Sequence, residues 1–444
     1  MLKYLFGQSF GLPQSAQGQP SDLNRALYNF LNNELPIINE DGFDYVNRGF
    51  MSVGPVYEAV DLISKKIAKM PVIVYKVVDE SKLRQSKNLI QSDNPSDRAK
   101  ALQLKASALQ EVKVDSIQRV LERPNEKQSW TDFVGMIAHL YLIDGNAFVY
   151  GNGANNSTNK FKEMFALPFT SKEMNIVSGG VFDPVKGYNV VWNGSTMSFP
   201  NPNQILHLKT INPRYSMMGS QMYGVSPLKA YTYQLVRDRL GNAQANKILK
   251  NGGLFGMLAP KHSQDTLSKD QKTDLKERIT EAHASNSDIA RIFPMSVAME
   301  WLQFGLPIAD LAILDLMKTT REDIYQAYHI PLTYASTDGA TYNNITTSGK
   351  MLMYNAVVPV SDYIGEKLTE WLCAPYKDAK YIIELDYLSS PELTADMGEV
   401  VKWLEKADML TPNEKREVMR WGRIEDELMN KVYMSKQKAP IEKL

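Results

Sequence analysis

Residues 223–253 read YGVSPLKAYTYQLVRDRLGNAQANKILKNGG. This stretch predicts a long helix over residues 226–250, because Ser226 is a good capping residue, Pro227 fits a first helical turn, and the following Asn-Gly-Gly ends a helix. A second helix is expected over residues 308–330, since the residue before a proline is driven out of helical geometry. At 1.5 Å per residue each helix would be roughly 34 to 38 Å long. Two such rods could lie side by side and hold the segment between them at their far end.

The segment between the two helices, residues 252–304, has its own pattern. An apolar run over 254–258 predicts a strand, and residues 268–283 predict a helix capped by Ser268. Two more strands are expected over 289–293 and 298–304. The order strand, helix, strand, strand indicates a small folded insertion.

Composition excludes several classes of protein. The chain has 444 residues with 50 basic and 50 acidic side chains, so its formal net charge is zero. A protein that grips nucleic acid tightly by its phosphates normally carries a basic surplus. Cys373 is the only cysteine, which excludes internal disulfides and cysteine-based zinc sites and fits a reducing cytoplasm. The sequence contains no apolar run of about 18 residues, so no transmembrane helix is expected.

Upstream of the long helices the chain predicts an α+β region. Residues 7–20 are rich in Gly, Gln, Ser and Pro and favour a mobile arm. A helix beginning near residue 52 precedes an apolar strand over 72–78, and another helix is expected over 129–142. Short alternating strands from 165 to 209, with a two-residue turn at Asn193-Gly194, predict a small, mostly antiparallel sheet.

Downstream, residues 333–349 are rich in Thr, Ser, Asn, Asp and Gly without apolar periodicity, which predicts a long loop that is either functional or mobile. Thr347 or Ser348 is expected to cap a helix to about Cys373, with a kink at Pro359. Further helices are expected over 395–408 and from Thr411 onward, where a capping box is present.

The sequence contains no recognisable catalytic or phosphate-binding motif. Its five histidines do not pair at metal-ligand spacing, and His139 and His207 favour structural roles. Asp310, Asp315 and Asp323 share one helix, but their spacing does not place all three on one face. An enzymatic function, a metal site and a cofactor are therefore not expected.

Several short motifs occur in order over about 300 residues of the chain. They are Arg123-Pro124-Asn125 before Trp130 and Phe133, Gly145-Asn146-Ala147-Phe148, Ile205-Leu206-His207-Leu208-Lys209, Tyr223-Gly224-Val225-Ser226-Pro227-Leu228, Gly252-Gly253-Leu254, Ala327-Tyr328-His329-Ile330-Pro331, Tyr342-Asn343-Asn344, Pro359, and Leu410-Thr411-Pro412-Asn413-Glu414-Lys415-Arg416. Together, in this order, these motifs resemble the HK97-type portal protein family of tailed phages.

The resemblance implies an α+β portal-type fold, with an α/β wing, two long stem helices that flank a β-α-β-β clip, and a C-terminal helical crown region. The implied divisions are an arm (1–20), a wing (21–222), a first stem helix (223–251), a clip (252–304), a second stem helix (305–331), a tunnel loop (332–349), and C-terminal helices that return to the wing or form the crown (350–444).

The same resemblance implies roles for particular residues. The tunnel-loop residues expected in the channel are Thr337, Asp338, Thr341, Tyr342, Asn343, Asn344 and Thr346. The residues expected to line the stem are Arg237, Arg239, Lys247, Lys250, Asp315, Lys318, Arg321 and Glu322. Sequence leaves open whether these stem charges form a mixed lining or pair between helices. Leu254, Phe255 and Trp301 are expected to stabilise the clip and its contacts between subunits.

A portal protein would form a ring, typically of twelve subunits, at one capsid vertex of the virion, after assembly in the host cytoplasm. Its implied partners are the terminase large subunit, the head-tail adaptor, the major capsid and scaffold proteins, and double-stranded DNA that passes without sequence specificity. No membrane is involved. The alternatives are another ring-forming head-tail connector or baseplate protein, and a nucleic-acid-processing enzyme.

Overall fold

The computed structural model describes residues 44–440 apart from a number of short stretches. The residues left out within that range are 91, 93, 154–159, 180–183, 215–218, 251–255, 261–267, 271–272, 275–276, 278–298, 304–312, 335–341, 377–378, 420 and 435–438. The chain separates into two compact units, Met1–Phe43 and Asp44–Leu444, and all described residues belong to the second unit. The arm expected over residues 1–20 lies outside the described residues.

The first part of the described chain is mainly helical. A short π-helical segment, Tyr45–Phe50, is capped by Asp44, whose carboxylate accepts hydrogen bonds from two backbone amides. The helix that follows buries one apolar face at three- and four-residue spacing, as the sequence predicts. The elements up to residue 144 are Gly54–Ala68 (α1), Val72–Val77 (β1), Glu80–Leu89 (α2), Pro95–Ala108 (α3), Leu109–Glu111 (β2), Asp115–Glu122 (α4) and Trp130–Asp144 (α5).

Helix α5 is the most central of these elements because it packs against α1 and leads directly into a buried strand. Its start is fixed by a capping box in which Ser129 and Asp132 bond each other's backbone amides. Its end is fixed by Gly145, which adopts a left-handed conformation with φ of 76°. A glycine at this position ends a helix without the steric cost that a side chain would impose.

Two antiparallel sheets of three strands each follow α5. Their strands are Asn146–Asn152 (β3), Glu163–Leu167 (β4), Met174–Ser178 (β5), Val185–Trp192 (β6), Ser195–Phe199 (β7) and Ile205–Lys209 (β8). One sheet has the order β4-β3-β8 and the other β5-β6-β7. The expected turn at Asn193-Gly194 is present, and both residues have positive φ, as a two-residue hairpin requires. Phe148, Met174, Tyr188 and Ile205 belong to the apolar cluster that the two sheets share.

The two long helices are Thr232–Lys250 (α6) and Ile313–Ala327 (α7). The chain enters α6 through a 3-10 turn, Pro227–Tyr231, where the sequence predicts α-helix from residue 226. Helix α7 ends three residues earlier than predicted, because His329 adopts a positive φ of 56° before Ile330 and Pro331. The expected start of this helix at residue 308 lies outside the described residues.

Between α6 and α7 the structure describes an antiparallel strand pair, Gly256–Pro260 (β9) and Met299–Gln303 (β10). Residues 256–258 of the first predicted strand are in β9, its residues 254 and 255 lie outside the described residues, and the second strand lies within its predicted range. Residues 269, 270, 273, 274 and 277 are helical, in agreement with the expected helix over 268–283. The strand expected over 289–293 lies outside the described residues.

The predicted loop over 333–349 is wrong in its second half. Residues Tyr342–Leu352 form a helix, α8, and a 3-10 turn spans Leu332–Tyr334. The sequence misleads here because Asn, Thr and Ser have modest helix propensity, whereas packing decides the outcome. Ser348 is buried inside α8, where its hydroxyl accepts a 2.6 Å hydrogen bond from the Thr333 hydroxyl, and it does not cap the helix start.

Pro359 is accommodated without a break in the helical path. A π-helical turn, Met353–Val357, follows α8, and the proline occupies the first turn of the next helix, Val358–Cys373 (α9). A proline lacks an amide proton, so the first turn of a helix is where it costs least. Where the sequence predicts a kink at Pro359, the structure has a π-helical turn directly before this proline.

The C-terminal part returns to the first sheet. Strand Tyr381–Leu385 (β11) pairs antiparallel with β1 and completes a sheet of order β11-β1-β2. Helices Thr394–Lys406 (α10) and Pro412–Val418 (α11) pack on α3 through an apolar cluster, and Thr411 and Glu414 form the predicted capping box. A two-residue strand pair, Tyr433–Met434 (β12) with Ala439–Pro440 (β13), follows. Residues 381–385 therefore belong to the same layer as residues 72–77.

Candidate functional site at the base of the long helices

The C-terminal end of α5 is the point to which both long helices are fastened. The last four carbonyl groups of a helix have no partner within it, and here each of them accepts a hydrogen bond. Gly145 N–H donates to Tyr141, and Asn146 donates from its side chain to the Asp144 carbonyl at 3.1 Å. The two carbonyls between them accept from the long helices.

Each long helix contributes one hydroxyl group to this helix end. Ser226, just before α6, donates to the Ile143 carbonyl at 2.6 Å. Tyr328, just after α7, donates to the Leu142 carbonyl at 3.0 Å. Burial raises the pKa of Tyr328, so its hydroxyl remains a proton donor. The start of α6 and the end of α7 are therefore held at adjacent carbonyls of one helix.

Two glycines allow the backbone segments to meet at this junction. A Cβ on Gly224 would lie 2.2 Å from the Gly145 carbonyl oxygen, and a Cβ on Gly145 would lie 2.3 Å from the Val225 carbonyl oxygen. Neither distance is sterically possible, so both positions require glycine for close backbone approach. The Gly-Asn motif at 145–146 and the Tyr-Gly-Val-Ser motif at 223–226 are thus in direct contact.

Asn146 is fully buried and connects these segments through its side-chain amide. Its Oδ1 accepts from Gly224 N–H at 2.6 Å and lies 3.0 Å from His207 Nε2. Its Nδ2 lies 3.1 Å from the carbonyl oxygen of Gly224 and 3.1 Å from a carboxylate oxygen of Asp144. A buried amide that satisfies both its donor and its acceptor fixes the relative position of every segment that it bonds.

His207 is held neutral in this network. Its ring stacks on Phe148 with centroids 4.4 Å apart and meets Tyr188 edge-on. Burial, assisted by the charge of Lys209, lowers the pKa of His207 from 6.5 to about 3. At neutral pH an imidazole Nε2–H therefore donates to Asn146, which is the structural role that the sequence predicts for this histidine.

Asp144 completes the junction on the side of the second sheet. Its carboxylate accepts from the backbone amide of Ser171 at 2.8 Å and from the Ser171 hydroxyl at 2.9 Å. Burial raises the pKa of Asp144, and the hydrogen bonds from Ser171 and Asn146 oppose that change. The turn that precedes β5 is in this way attached to the same helix end.

The long helices contact each other and α1 through charged side chains. Arg237 of α6 donates to Thr320 Oγ1 at 2.9 Å and lies 3.4 Å from the carboxylate of Asp323 on α7. The start of α6 and the end of α7 both lie at the end of α5, and further from that point Arg237 of α6 meets Thr320 in the middle of α7, so the two helices run antiparallel. Arg321 of α7 forms an ion pair with Glu58 of α1, and Tyr325 also donates to Glu58 at 3.1 Å.

These contacts decide part of the question that the sequence left open about the stem charges. Arg237 and Arg321 pair between elements, whereas Arg239 and Lys318 are exposed and Glu322 is half-buried. Lys247 and Lys250 lie on α6 and Asp315 lies on α7, and their side chains are outside the described set. Of the two arrangements that the sequence left open, pairing between helices is therefore observed for Arg237 and Arg321.

The remaining predicted site residues lie outside the described residues, on β10 or on α8. Thr337, Asp338 and Thr341 of the loop, and Leu254 and Phe255 of the insertion, lie outside the described residues. Trp301 lies on β10 opposite Leu258 of β9. Four residues predicted in the loop are instead helical, because α8 begins at the first of them. These residues are Tyr342, Asn343, Asn344 and Thr346.

From sequence, Asn146 and Tyr328 are only parts of motifs, and Ser226 is only a helix-capping residue. The signal that could have found them is their chemistry, since each is an uncharged polar residue next to apolar residues or at a helix boundary. Such residues, when buried, must find a hydrogen-bond partner. Their partners are backbone carbonyls distant in sequence, which no local pattern reveals.

No metal-binding cluster of three or more His, Cys, Asp or Glu residues occurs in the part of the chain that the structure describes. Within the same residues no helix is long and apolar enough to span a bilayer. A cavity of about 470 Å³ lies between α2, α3, α9 and β11, with Lys105 and Glu384 paired at its wall. Burial and the nearby charge of Glu384 raise the pKa of Asp362, also at this wall, to about 6.

The sequence model of the phage portal protein family matches residues 88–419, which is most of the chain. This chain belongs to the phage portal protein family. It is a portal protein of a phage or phage-like particle. The family assignment confirms the resemblance on which the sequence reasoning drew, and it includes all the junction residues described above.

Similar proteins place this portal protein among known folds. An uncharacterised protein of Rickettsia bellii (strain RML369-C) is 22% identical over 331 residues, covering 73% of this chain and 82% of that protein. The neck of a native gene transfer agent (GTA) particle, computed with C12 symmetry, aligns with a TM-score of 0.59 and 19% identity, covering 86% of this chain and 95% of that chain. An HK97 family phage portal protein from Corynebacterium diphtheriae aligns with a TM-score of 0.50 and 12% identity, covering 77% and 94%. The predicted α+β portal fold is confirmed.

Proposed function

We propose that copies of this portal protein form a closed ring of twelve subunits at one capsid vertex, with a central channel for DNA packaging and ejection. The symmetry of the GTA neck, whose chain shares this fold, supports the number twelve. A ring of identical chains closes when each subunit meets its neighbour through two different faces related by a rotation.

The observation that carries this proposal is the antiparallel pair of α6 and α7. One end of the pair is fastened to α5 by Ser226 and Tyr328, and the other end carries the β9–β10 strand pair. A stem with its base fixed in the wing and a small module at its tip has the form expected of a conduit wall. In this proposal α6 and α7 are the stem, and residues 252–304 are the clip.

The charges of the described stem residues suit passage of DNA better than retention. Arg237 and Arg321 are paired with Asp323 and Glu58, so two of the basic stem residues have acidic partners within the chain. The formal net charge of the chain is zero. Each additional phosphate contact strengthens the grip on DNA, so a lining with few unpaired cations lets the duplex slide.

The clip would dock the packaging motor, through the terminase large subunit, during genome loading and the head-tail adaptor afterwards. The wing would contact the major capsid and scaffold proteins during assembly in the host cytoplasm. The part of the expected tunnel loop that precedes α8, residues 335–341, lies outside the described residues. The protein would act without catalysis and without a cofactor.

Native mass spectrometry of the purified full chain tests the ring. The expected species contains twelve copies of the 50.2 kDa chain and has a central hole in negative-stain images. A closed ring of another number would correct the stoichiometry and keep the conduit. A chain that remains monomeric both in solution and in the assembled particle contradicts the proposal.

A further inference from the structure

An apolar groove lies between edge strands of the two sheets that follow α5. Strand β4 is at the edge of one sheet and β7 at the edge of the other, and residues of both line a cavity of about 430 Å³. Its aromatic rings lie close together, since the Tyr150 centroid is 5.2 Å from that of Phe199 and 6.5 Å from that of Phe165. Met197, also in the lining, is 47% exposed. This cavity is named here the β4–β7 groove, and it brings apolar surface into contact with solvent.

The backbone of Ala166 presents an unused donor and an unused acceptor at this groove. In antiparallel pairing, successive residues of a strand direct their N–H and C=O groups alternately toward and away from the neighbouring strand. Met164 directs its groups away from β3, because its N–H donates to the Pro124 carbonyl at 2.7 Å and its carbonyl accepts from Asn125 at 2.7 Å. Ala166 is two residues further along β4 and points the same way, and no described residue bonds its N–H or C=O.

The position of a further strand beside β4 is occupied only as far as Met164. Pro124 and Asn125 bond Met164 as a neighbouring strand would, and the edge continues to Ala166 without a partner among the described residues. Pro168 ends the edge, because a proline has no N–H to pair. Ala166 is only 7% exposed, and backbone groups at buried positions are normally hydrogen-bonded. The backbone of another extended chain matches such an edge, because it offers a donor and an acceptor at the same spacing.

Lys127 indicates the charge of the occupant. Of the described residues that line the groove, Lys127 alone is charged, and its side chain is exposed. No described residue forms an ion pair with it. A carboxylate on the occupant would meet this positive charge, which favours an acidic partner over a basic one. The described strands of this chain each pair with another strand of the chain, so the occupant is a segment of a different protein.

We propose that the β4–β7 groove binds an extended segment of a partner protein, which adds as a strand to the edge of β4 at Ala166. The segment carries apolar side chains at alternate positions, which pack among Tyr150, Phe165 and Phe199, and a carboxylate that meets Lys127. In this mode of recognition main-chain hydrogen bonds supply affinity and the side-chain pockets supply specificity. The inference does not depend on the proposed ring, because every contact that carries it lies within one copy.

The probe for the first test is a yeast-displayed library of short random peptides, selected on the purified full chain. The selected peptides are expected to alternate apolar and polar residues and to include Asp or Glu. The most enriched sequence is then made as a labelled synthetic peptide, and fluorescence anisotropy measures its affinity for the wild type and for each variant.

Ala166→Pro removes the outward N–H and keeps the pairing with β3, since an edge strand tolerates proline where its N–H side faces away from the sheet. Glu111→Pro is the matched control. Glu111 is in the edge strand β2, and its N–H points away from β1 because the next residue, Val112, donates to Val74. Ala166→Pro is expected to bind the peptide about tenfold more weakly, as for the loss of one hydrogen bond. Glu111→Pro is expected to bind it as the wild type does.

A pair of charge reversals tests the groove without changing the backbone. Lys127 and Lys186 are both exposed lysines, but only Lys127 lines the groove. Lys127→Glu is expected to weaken peptide binding about threefold, as for an exposed ion pair, and Lys186→Glu is expected to leave it unchanged. Thermal unfolding of each variant checks the fold, and if Ala166→Pro melts below the wild type, this pair decides whether the peptide is in the groove.

The outcomes assign or remove the groove's occupant. Peptides that bind the wild type and a fully folded Ala166→Pro equally overturn strand addition, as does a library that yields no binder. Equal binding by Lys127→Glu and Lys186→Glu overturns the acidic partner. A change in self-association caused by Ala166→Pro, measured by native mass spectrometry, would assign the groove to a second copy of this chain and overturn the partner protein.

Discussion

Replacing His207 tests whether the junction at the end of α5 is as dry and as fully bonded as the structure indicates. The His207 ring is stacked on Phe148 at 4.4 Å and bonded to Asn146 at 3.0 Å, and its pKa is lowered to about 3. The variant His207→Gln keeps a side-chain amide that can donate to Asn146 and removes the group that titrates.

The size of the effect follows from the difference in pKa between the folded and unfolded chain. Unfolded His207 binds a proton near its ordinary pKa of 6.5, whereas the folded form stays neutral down to about 3. The unfolded state therefore binds more protons between these values, so stability is present above pH 6.5 and is lost as the pH falls. At pH 5 this one group should lower the free energy of unfolding by about 2 kcal/mol relative to pH 7.5.

Urea unfolding at pH 7.5, 6.0 and 5.0, followed by tryptophan fluorescence at fixed protein concentration, measures this difference. Other groups titrate in the same range, so the readout is the change in slope between variant and wild type. His207→Gln should lose about 2 kcal/mol less than the wild type between pH 7.5 and 5. His329→Gln, which replaces an exposed histidine, is the matched substitution control. Parallel pH profiles for wild type and His207→Gln would refute the reasoning.

Three further substitutions test the junction and the cavity wall. Tyr328→Phe leaves the buried Leu142 carbonyl without a donor and should lower the free energy of unfolding by about 1–3 kcal/mol in urea titrations; a change below about 0.3 kcal/mol would contradict the role given to this hydroxyl. Gly145→Ala should cost more than Gly194→Ala, because both glycines have φ of 76° but only Gly145 has backbone within 2.3 Å of the added Cβ; equal melting temperatures would show that the close approach is unimportant. Asp362→Asn should stabilise the chain above pH 6, because the raised pKa means that wild-type stability falls as the pH rises from about 4 to about 6; a variant less stable than wild type at pH 8 would contradict this.

The elements that sequence predicts best are those whose signals are local. The turn at Asn193-Gly194 and the capping box at Thr411 each depend on residues within a few positions of one another. Backbone conformation and capping chemistry act over that range, so the pattern alone suffices.

What sequence could not predict depends on contacts between distant residues. Sequence leaves open whether Arg237 and Arg321 line a channel or form ion pairs, and only the structure shows Asp323 and Glu58 beside them. Helix α8 also depends on a contact between distant residues. Ser348 lies inside this helix and is buried against Thr333, although serine has a low helix propensity.

The junction illustrates the same limit most clearly. Asn146 and Tyr328 could be recognised as family motif residues, yet their partners are 78 residues away at Gly224 and 186 residues away at Leu142. A motif match therefore identified the family and the order of its parts, but not the one helix end on which those parts converge.

Cryo-electron microscopy of the assembled particle tests the central claim most directly, which is that the α6–α7 pair forms the wall of a conduit. The account predicts a closed ring at one vertex in which every copy presents this pair around a central hole, with the β9–β10 module at the outer tip and the junction at the base. A ring whose α6–α7 pairs lie on its outer rim, away from the hole, would contradict it.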